Sequence, residues 1–244
     1  YIRAMQECKN MKELSTLEFA RLIASCPLCF QPGERWLYGL SADVLGGVIV
    51  AATGMELGDY MKKILFDPLD MQDTFFHVPE EKKDRLATLY NVDENGNFYP
   101  RRETFGFADQ GDIKLEMGGA GLYSTLDDFM KFGEMLRLDG KGIISKESVQ
   151  LMRKNHLTPN QLATFSETDS GYGYGYLVRC LIDEKKNHEY RESLGSFGWN
   201  GMGGTTLRID PVREMTVVFG IQRVPPKHEL FIPRLMQAIA DELA

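Results

Sequence analysis

Four glycines immediately before a strand-like run place the strongest constraint on how this chain can fold. Residues 196–211 read SFGWNGMGGTTLRIDP, with glycine at positions 198, 201, 203 and 204. Glycine weakens a strand because it packs no side chain and loses much backbone entropy on folding. The cluster therefore predicts that another group approaches the backbone closely. A phosphate loop is a poor alternative, because the GxxxxGK[ST] pattern is missing and a strand, not a helix, follows.

The charge balance limits the classes of partner. The chain has 244 residues, with 28 Lys plus Arg against 35 Asp plus Glu, and a net charge of −7. This length suits one large domain or two small ones. The acidic balance argues against a nucleic-acid partner and against an anionic membrane surface. No apolar run approaches the length of a membrane-spanning helix, so we expect no membrane span.

The cysteines and histidines give no sign of a metal or redox centre. CPLC at 26–29 is formally a CxxC motif, and Cys8 and Cys180 stand apart from it. A metal site would need a second Cys or His pair at ligand spacing, and the four histidines are scattered. We therefore interpret the cysteines as small packed side chains. We expect neither a metal nor a cofactor.

The first 170 residues carry the signals of several helices. Ser15 and Glu18 form a capping box ahead of apolar positions at helical spacing. Ser41 to Thr53 is predicted to be a buried helix that Gly54 ends. Further helices are predicted over 57–66, from the caps Ser124 and Thr125 to about residue 138, and from the cap Ser145 to about residue 154. The sequence DENGN at 93–97 predicts a hairpin turn.

The pattern changes after residue 170. Residues 171–182, 205–209 and 215–221 are strand-like and separated by tight turns, and Tyr172, Tyr174 and Tyr176 alternate as one face of a strand would. An amphipathic helix is predicted over 229–243, with its apolar stripe at Phe231, Leu235, Ile239 and Leu243. The fold class is thus α+β, with a mostly helical region over 1–170. Residues 171–244 form an antiparallel meander and a packed C-terminal helix.

Three blocks together resemble the class C β-lactamase-like serine hydrolases. This family includes penicillin-binding proteins, D-peptidases and esterases, and the esterase branch is the most similar. The blocks are PGERWLYGLSADVLGGVIVAATGMELGDYMKKILFDPLDMQDTFF (32–76), GGAGLYSTLDDFMKFGEML (118–136) and GSFGWNGMGGTTLRIDP (195–211). Any one block alone would be a weak signal. Three in the family's order and spacing are a strong one, and they imply a β-lactamase/transpeptidase-like fold.

The resemblance assigns roles to two of the family's three motifs. Tyr38-Gly39-Leu40 fits the Tyr-x-Asn motif, although Leu40 replaces the usual Asn. Trp199, Asn200 and Gly201 fit the Lys- or His-x-Gly triplet and are the candidate substrate-binding residues. Trp in the first place of the triplet carries no charge for a substrate carboxylate. Esterase-like members share both departures.

The catalytic assignments also follow from the resemblance. Tyr38 is the candidate base, and the backbone N–H of Met202 is the candidate oxyanion donor beside the nucleophile's own N–H. A lysine ammonium near the phenol would favour the phenolate that acts as base. The Ser-x-x-Lys motif is missing, because no serine in the chain has Lys three positions later. The family carries that motif further upstream, so we interpret the sequence as a C-terminal portion that lacks the first strands and the nucleophile helix.

Two functions of different classes stay open on the sequence. The first is a portion of a serine hydrolase that cleaves esters or amides, including β-lactams and D-alanyl peptides, through an acyl-serine intermediate. The alternative is a non-catalytic, penicillin-binding-protein-like binding module. A sheet without its first strands would expose an edge, which predicts pairing with an N-terminal segment or self-association. The compartment stays open between the bacterial cytoplasm and export.

Overall fold

A computed structural model describes residues 11–101, 113–187, 189 and 191–242, and the chain forms two compact units. Unit 1 consists of Tyr1–Cys29, Tyr38–Thr88 and Arg101–Asp128, and unit 2 of Phe30–Leu37, Leu89–Pro100 and Phe129–Ala244. Each unit is therefore assembled from segments that are distant in sequence. The domain boundary expected at residue 170 remains a prediction. Cys8 and Leu243 lie outside the described residues.

The described helices occur along most of the chain. The α-helices are α1 (Thr16–Ala24), α2 (Ser41–Thr53), α3 (Leu57–Met61), α4 (Leu126–Arg137), α5 (Lys146–Met152), α6 (Pro159–Leu162) and α7 (His228–Glu242). A π-helical turn over Lys62–Phe66 continues α3 up to Asp67. Short 3₁₀ turns cover Met11–Glu13, Glu80–Arg85, Thr168–Ser170 and Glu184–Lys186.

The predicted helix ends are confirmed where a local signal marks them. Ser15 and Glu18 form the capping box of α1, and the Ser145 side chain accepts the N–H of Ser148 at the start of α5. Thr125 Oγ1 accepts the N–H of Asp128 in the first turn of α4. Gly54 ends α2 in the left-handed conformation, with a φ of 69°. These interactions involve neighbours in sequence, which is why the sequence alone reveals them.

The packing of α1 on α2 organises unit 1. Gly46 and Gly47 are buried on α2, and a Cβ added to Gly47 would lie 2.3 Å from the Cβ of Ala20 on α1. The helices approach this closely only because Gly47 has no side chain. The prediction of a buried α2 holds for only one side of the helix, since Leu45 and Val48 are 45% and 55% exposed. Its sequence is apolar all round, but only the glycine face meets α1.

Two sheets form in unit 2. The small sheet has the order β2-β1-β8, from β1 (Tyr90–Val92), β2 (Phe98–Pro100) and β8 (Arg223–Val224). The predicted hairpin joins β1 and β2 antiparallel, and β8 pairs parallel to β1. The larger sheet has the order β3-β4-β5-β6-β7 and consists of β3 (Tyr172–Tyr174), β4 (Arg179–Leu181), β5 (Phe197–Asn200), β6 (Thr206–Asp210) and β7 (Met215–Phe219).

The larger sheet confirms the predicted antiparallel meander. Each of its strands pairs antiparallel with the next one along the chain. The strand-like run over 171–182 is divided in two by a turn, in which Leu177 has a φ of 58°. Tyr172 and Tyr174 therefore lie on β3, whereas Tyr176 lies in the turn and is exposed.

The C-terminal helix is confirmed, but its buried face differs from the predicted one. Ile232 and Met236 are the fully buried side chains of α7, whereas Phe231 and Leu235 are only half-buried. The face is thus displaced by one residue, about 100° around the helix. With apolar residues at neighbouring positions, the sequence leaves two faces almost equally apolar, and tertiary packing selects one.

No single described helix is long and apolar enough to cross a membrane. Helix α2 and the segment Leu57–Phe66 pass that test only as a pair, by length and composition, and they are bent by 78°.

The contact between α1 and α2 generates a stability prediction. Gly47→Ala forces a methyl group against Ala20, so we expect a loss of about 1–3 kcal/mol in the free energy of unfolding. Val48→Ala is the matched control on the exposed side of the same helix, and it should stay within about 0.5 kcal/mol of the unchanged protein. Urea unfolding followed by circular dichroism measures both. Equal stabilities of the two variants would contradict the close approach.

Candidate active site

Tyr38 lies in unit 1, in the short segment that leads into α2. Its side chain is 63% exposed. Two residues later, Leu40 packs against the buried cluster of Phe19, Ile113 and Leu115. An asparagine amide would be costly there unless it were hydrogen-bonded. The departure from the family's Asn therefore has a structural cause, because Leu40 anchors the segment in the core.

Asp43 fixes the start of α2, a role that the sequence did not suggest. It is 2% exposed, and its Oδ1 accepts the N–H of Gly119 at 3.1 Å. A Cβ on Gly118 would lie 2.5 Å from the carbonyl oxygen of Ala42, so the GGAG block sits directly on the first turn of α2. Burial raises the pKa of the Asp43 carboxyl. The block at 118–136 thus packs on the start of α2 and so supports the adjoining segment that carries Tyr38.

The third motif forms the tip of a hairpin in unit 2. Strand β5 ends at Asn200, and the N–H of Gly201 donates to the carbonyl of Thr205 at 2.8 Å. The N–H of Gly204 donates to the carbonyl of Gly201 at 3.0 Å, which closes a four-residue turn. Met202 is the second residue of this turn and is 58% exposed. Neither of these two bonds uses the N–H of Met202.

The chain itself occupies the space that the glycines leave. A Cβ on Gly198 would lie 2.0 Å from the carbonyl oxygen of Leu207, and one on Gly201 would lie 2.1 Å from Thr205 Oγ1. Gly204 has a φ of 104°, and Ile221 lies against it. The predicted close approach is therefore confirmed. The approaching groups are a neighbouring strand and nearby side chains of this chain, and they already require glycine at these three positions.

Trp199 belongs to an aromatic cluster in unit 2. Its ring meets Tyr174 edge-on with centroids 5.5 Å apart, and Tyr174 meets Trp36 at 5.4 Å. Trp36 also packs edge-on against Phe165 at 4.7 Å, and its backbone N–H donates to Thr164 Oγ1 at 2.9 Å. Edge-to-face pairs such as these hold aromatic rings in defined orientations. Trp199 is therefore a packed side chain that is only half-buried.

The Asn200 side chain is held by two donors. Its Oδ1 accepts Thr206 Oγ1 at 3.0 Å and Arg179 Nη2 at 3.4 Å. Arg179 is 5% exposed, forms an ion pair with Glu167, and lies 4.6 Å above the ring of Tyr172. The side-chain amide of Asn200, a candidate substrate-binding residue, is thus hydrogen-bonded to the buried cation Arg179.

Two further buried charged side chains, Glu192 and Arg208, belong to the same cluster as Arg179. Tyr172 Oη donates to Glu192 Oε2 at 2.8 Å, and Glu192 Oε1 lies 2.8 Å from Arg208 Nε. Burial raises the pKa of Glu192 to about 7, although the Arg179 guanidinium opposes that rise. Burial also raises the pKa of the Tyr172 phenol, which keeps it a hydrogen-bond donor. No local sequence signal marks this cluster, because its members are far apart in the chain.

The structure thus brings four of the five predicted site residues together on one hairpin. Trp199, Asn200, Gly201 and Met202 follow one another at its tip, in unit 2, and Tyr38 belongs to unit 1. Among the described residues, no group of three or more His, Cys, Asp or Glu side chains could hold a metal ion.

Comparison with known proteins identifies the family. The beta-lactamase family matches residues 4–241. The chain belongs to the beta-lactamase family. Protein Rv1367c of Mycobacterium tuberculosis is 32% identical over 83% of this beta-lactamase-family chain and 52% of its own length. The lovastatin esterase of Penicillium rubens is 31% identical over 82% of the chain and 53% of its own length.

A solved structure agrees with this assignment. EstCE1, described as a hydrolase with promiscuous acyltransferase activity, superimposes with a TM-score of 0.78 at 27% identity. It covers 97% of the present chain, which covers 65% of EstCE1. The chain spans about half the length of the curated relatives it matches. The mixed α and β fold is therefore that of beta-lactamase-family hydrolases.

The buried charge cluster predicts an unusual pH dependence. The folded-state pKa of Glu192, about 7, lies above its ordinary value of 4.5, so the native state binds a proton that the unfolded state releases. The free energy of unfolding should therefore fall as the pH rises through that interval. Glu192→Gln mimics the protonated form and should lose less stability than the unchanged protein between pH 5 and pH 7.5. Urea titrations at both pH values measure the free energy of unfolding of each protein. An equal loss of stability in the two proteins, or a larger loss in Glu192→Gln, would contradict the prediction.

Proposed function

We propose that this chain is part of a serine hydrolase that cleaves esters or amides through an acyl-serine intermediate, with esters as its main substrates. The observation that carries the proposal is the hairpin tip, where Met202 presents an N–H that the turn's own bonds do not use. The names of two relatives, a lovastatin esterase and the hydrolase EstCE1, support ester chemistry. Trp199 supports it as well, because an uncharged ring offers no cation to a substrate carboxylate.

The nucleophile in this proposal lies outside the 244 residues. No serine here has Lys three positions later. Three serines are engaged at helix starts, since Ser15 and Ser145 accept backbone N–H groups and Ser124 hydrogen-bonds Thr74. Ser196 is 1% exposed and stands beside the third motif, but Trp199 occupies the position of the lysine. We therefore assign the nucleophile to a Ser-x-x-Lys motif on residues that precede Tyr1.

Tyr38 is the proposed general base and acid. Its phenolate takes the proton of the serine hydroxyl as the serine oxygen bonds to the ester carbonyl carbon. The phenol then returns that proton to the leaving alkoxide as the ester bond breaks. In the second half, Tyr38 takes a proton from the water that attacks the acyl-enzyme. It then gives this proton to the serine oxygen as the acyl–serine bond breaks, which releases the acid and the free serine.

Met202 is the proposed oxyanion donor. The carbonyl oxygen gains negative charge when the tetrahedral intermediate forms, and a fixed backbone N–H stabilises that charge without reorganising. The tight turn of residues 201–204 supplies such a fixed N–H. The turn is kept compact by two hydrogen bonds, in which the N–H of Gly201 donates to Thr205 and the N–H of Gly204 donates to Gly201.

Labelling with a fluorescent fluorophosphonate tests the assignment of the nucleophile. We expect the full-length natural protein to form a stoichiometric adduct on a serine upstream of Tyr1. The 244-residue chain should form none, because it lacks the nucleophile and the lysine that pairs with it. Intact-mass spectrometry and peptide mapping measure both results. An adduct on Ser196 or on any other serine here would overturn the proposal.

Tyr38→Phe in the full-length protein is the companion variant. Removing the base should slow labelling and ester hydrolysis by a factor of about 10² or more. Since Tyr38 is largely exposed, the melting temperature should change little. A full-length protein that neither labels nor hydrolyses esters, yet binds penicillins reversibly, would instead establish the binding-module alternative.

The oxyanion role of Met202 has its own test. Met202→Pro removes the N–H, and the second position of a tight turn is the one where proline is favoured. We expect kcat for ester hydrolysis to fall by a factor of about 10²–10³ while the fold is kept. Met202→Leu is the matched control, because it changes the side chain and keeps the N–H. Equal kcat values for the two variants would exclude this donor.

A further inference from the structure

The Asn200 amide has only one orientation that its neighbours allow. Arginine can only donate hydrogen bonds, so the atom that faces Arg179 Nη2 at 3.4 Å must be the amide oxygen. Thr206 Oγ1 donates to the same oxygen at 3.0 Å. The amide nitrogen, with two N–H groups, is therefore directed to the other side. Asn200 is half-buried, so part of the residue is open to solvent.

The cation behind Asn200 is not itself available to a substrate. Arg179 is 5% exposed, its Nη1 pairs with Glu167, and its guanidinium lies over the Tyr172 ring. A substrate carboxylate would thus meet a neutral amide and the neutral Trp199 ring at this motif. A carboxylate at this motif would lose part of its hydration without gaining a cationic partner, which is costly, whereas an uncharged carbonyl oxygen loses less and needs only one N–H donor.

We propose that Asn200 Nδ2 selects esters whose acyl group carries an uncharged acceptor oxygen, and that Arg179 and Thr206 are the positioning residues that orient it. This assignment rests on the proposed hydrolase function. Asn200 would touch the substrate, whereas Arg179 and Thr206 act only through Asn200. Losing either donor would let the amide rotate, and its oxygen would then face the acceptor on the substrate.

A pair of matched esters measures this preference in the full-length natural protein. p-Nitrophenyl 4-oxopentanoate and p-nitrophenyl pentanoate differ only by one keto oxygen on the acyl chain. The measured quantity is the kcat/KM for the keto ester divided by the kcat/KM for the pentanoate. We expect this ratio to be about fivefold higher in the unchanged protein than in Asn200→Ala, which is the effect of losing one hydrogen bond. The difference should appear in KM, because the keto oxygen is remote from the reacting carbonyl.

Thr206 supplies the decisive variants. Thr206→Val is nearly isosteric and removes the hydroxyl donor, so its ratio should fall to that of Asn200→Ala. Thr206→Ser keeps the donor and should retain the ratio of the unchanged protein. Arg179→Lys is the second positioning variant, because it keeps the charge beside Glu167 and alters the direction of the donor. It should lower the ratio in the same way, and thermal melts verify that each variant is folded.

The outcomes separate this assignment from the function on which it depends. Ester hydrolysis that requires Tyr38, with the same substrate ratio in Thr206→Val as in the unchanged protein, would overturn only the specificity assignment. A preference for a p-nitrophenyl ester that carries a free carboxylate would overturn it as well. A complete lack of Tyr38-dependent hydrolysis would overturn the hydrolase proposal and this inference together.

Discussion

The close approach of β5 and β6 at Gly198 is the constraint on which the larger sheet depends. Gly198 lies in register between Arg179 on β4 and Arg208 on β6. Gly198 has a φ of 152°, and a Cβ added to it would lie 2.0 Å from the carbonyl oxygen of Leu207. A side chain at this position would push the two strands apart. The position thus lets the sheet carry two buried guanidinium groups, one on each of the two strands that flank β5.

Two buried arginines are costly unless every charge has a partner. Glu167 pairs with Arg179, and Glu192 pairs with Arg208 while accepting the hydroxyl of Tyr172. A slip of one residue in the register of β4 or β6 would turn Arg179 or Arg208 toward the opposite face of the sheet, away from its partner. The same network reaches Asn200 through Arg179, so the register of the sheet also sets the orientation of a site residue.

Sequence reasoning succeeded where the relevant interaction is local and failed where it is not. Ser15 and Gly54 mark helix ends because a cap involves residues only a few positions apart. The predicted burial of α2 holds for only one side and the predicted buried face of α7 is wrong, since several faces of an apolar helix look alike until a neighbour selects one. The glycine cluster predicted a close approach correctly, but it could not show that the approaching groups are Leu207 and Thr205.

The predicted site shows the same division between local and distant information. The tyrosine and glycine motifs could be recognised as short patterns, together with the residues that replace the family's usual ones. The reasons for those replacements required the fold. Leu40 packs in the core of unit 1, and Trp199 packs edge-on against Tyr174. Asp43 and Arg179 were missed, because each acts on a partner at least 20 residues away.

The two departures from the family motifs therefore have a common physical consequence. Each one replaces a polar or charged side chain with an apolar or aromatic one that anchors the backbone. At the third motif, the hairpin tip still offers a backbone N–H at Met202 and a side-chain amide at Asn200. Both are fixed by neighbours within the sheet, and neither carries a charge. In the function that we propose, such a tip favours substrates that develop negative charge only during the reaction, because a fixed neutral donor stabilises that charge without first binding an anion.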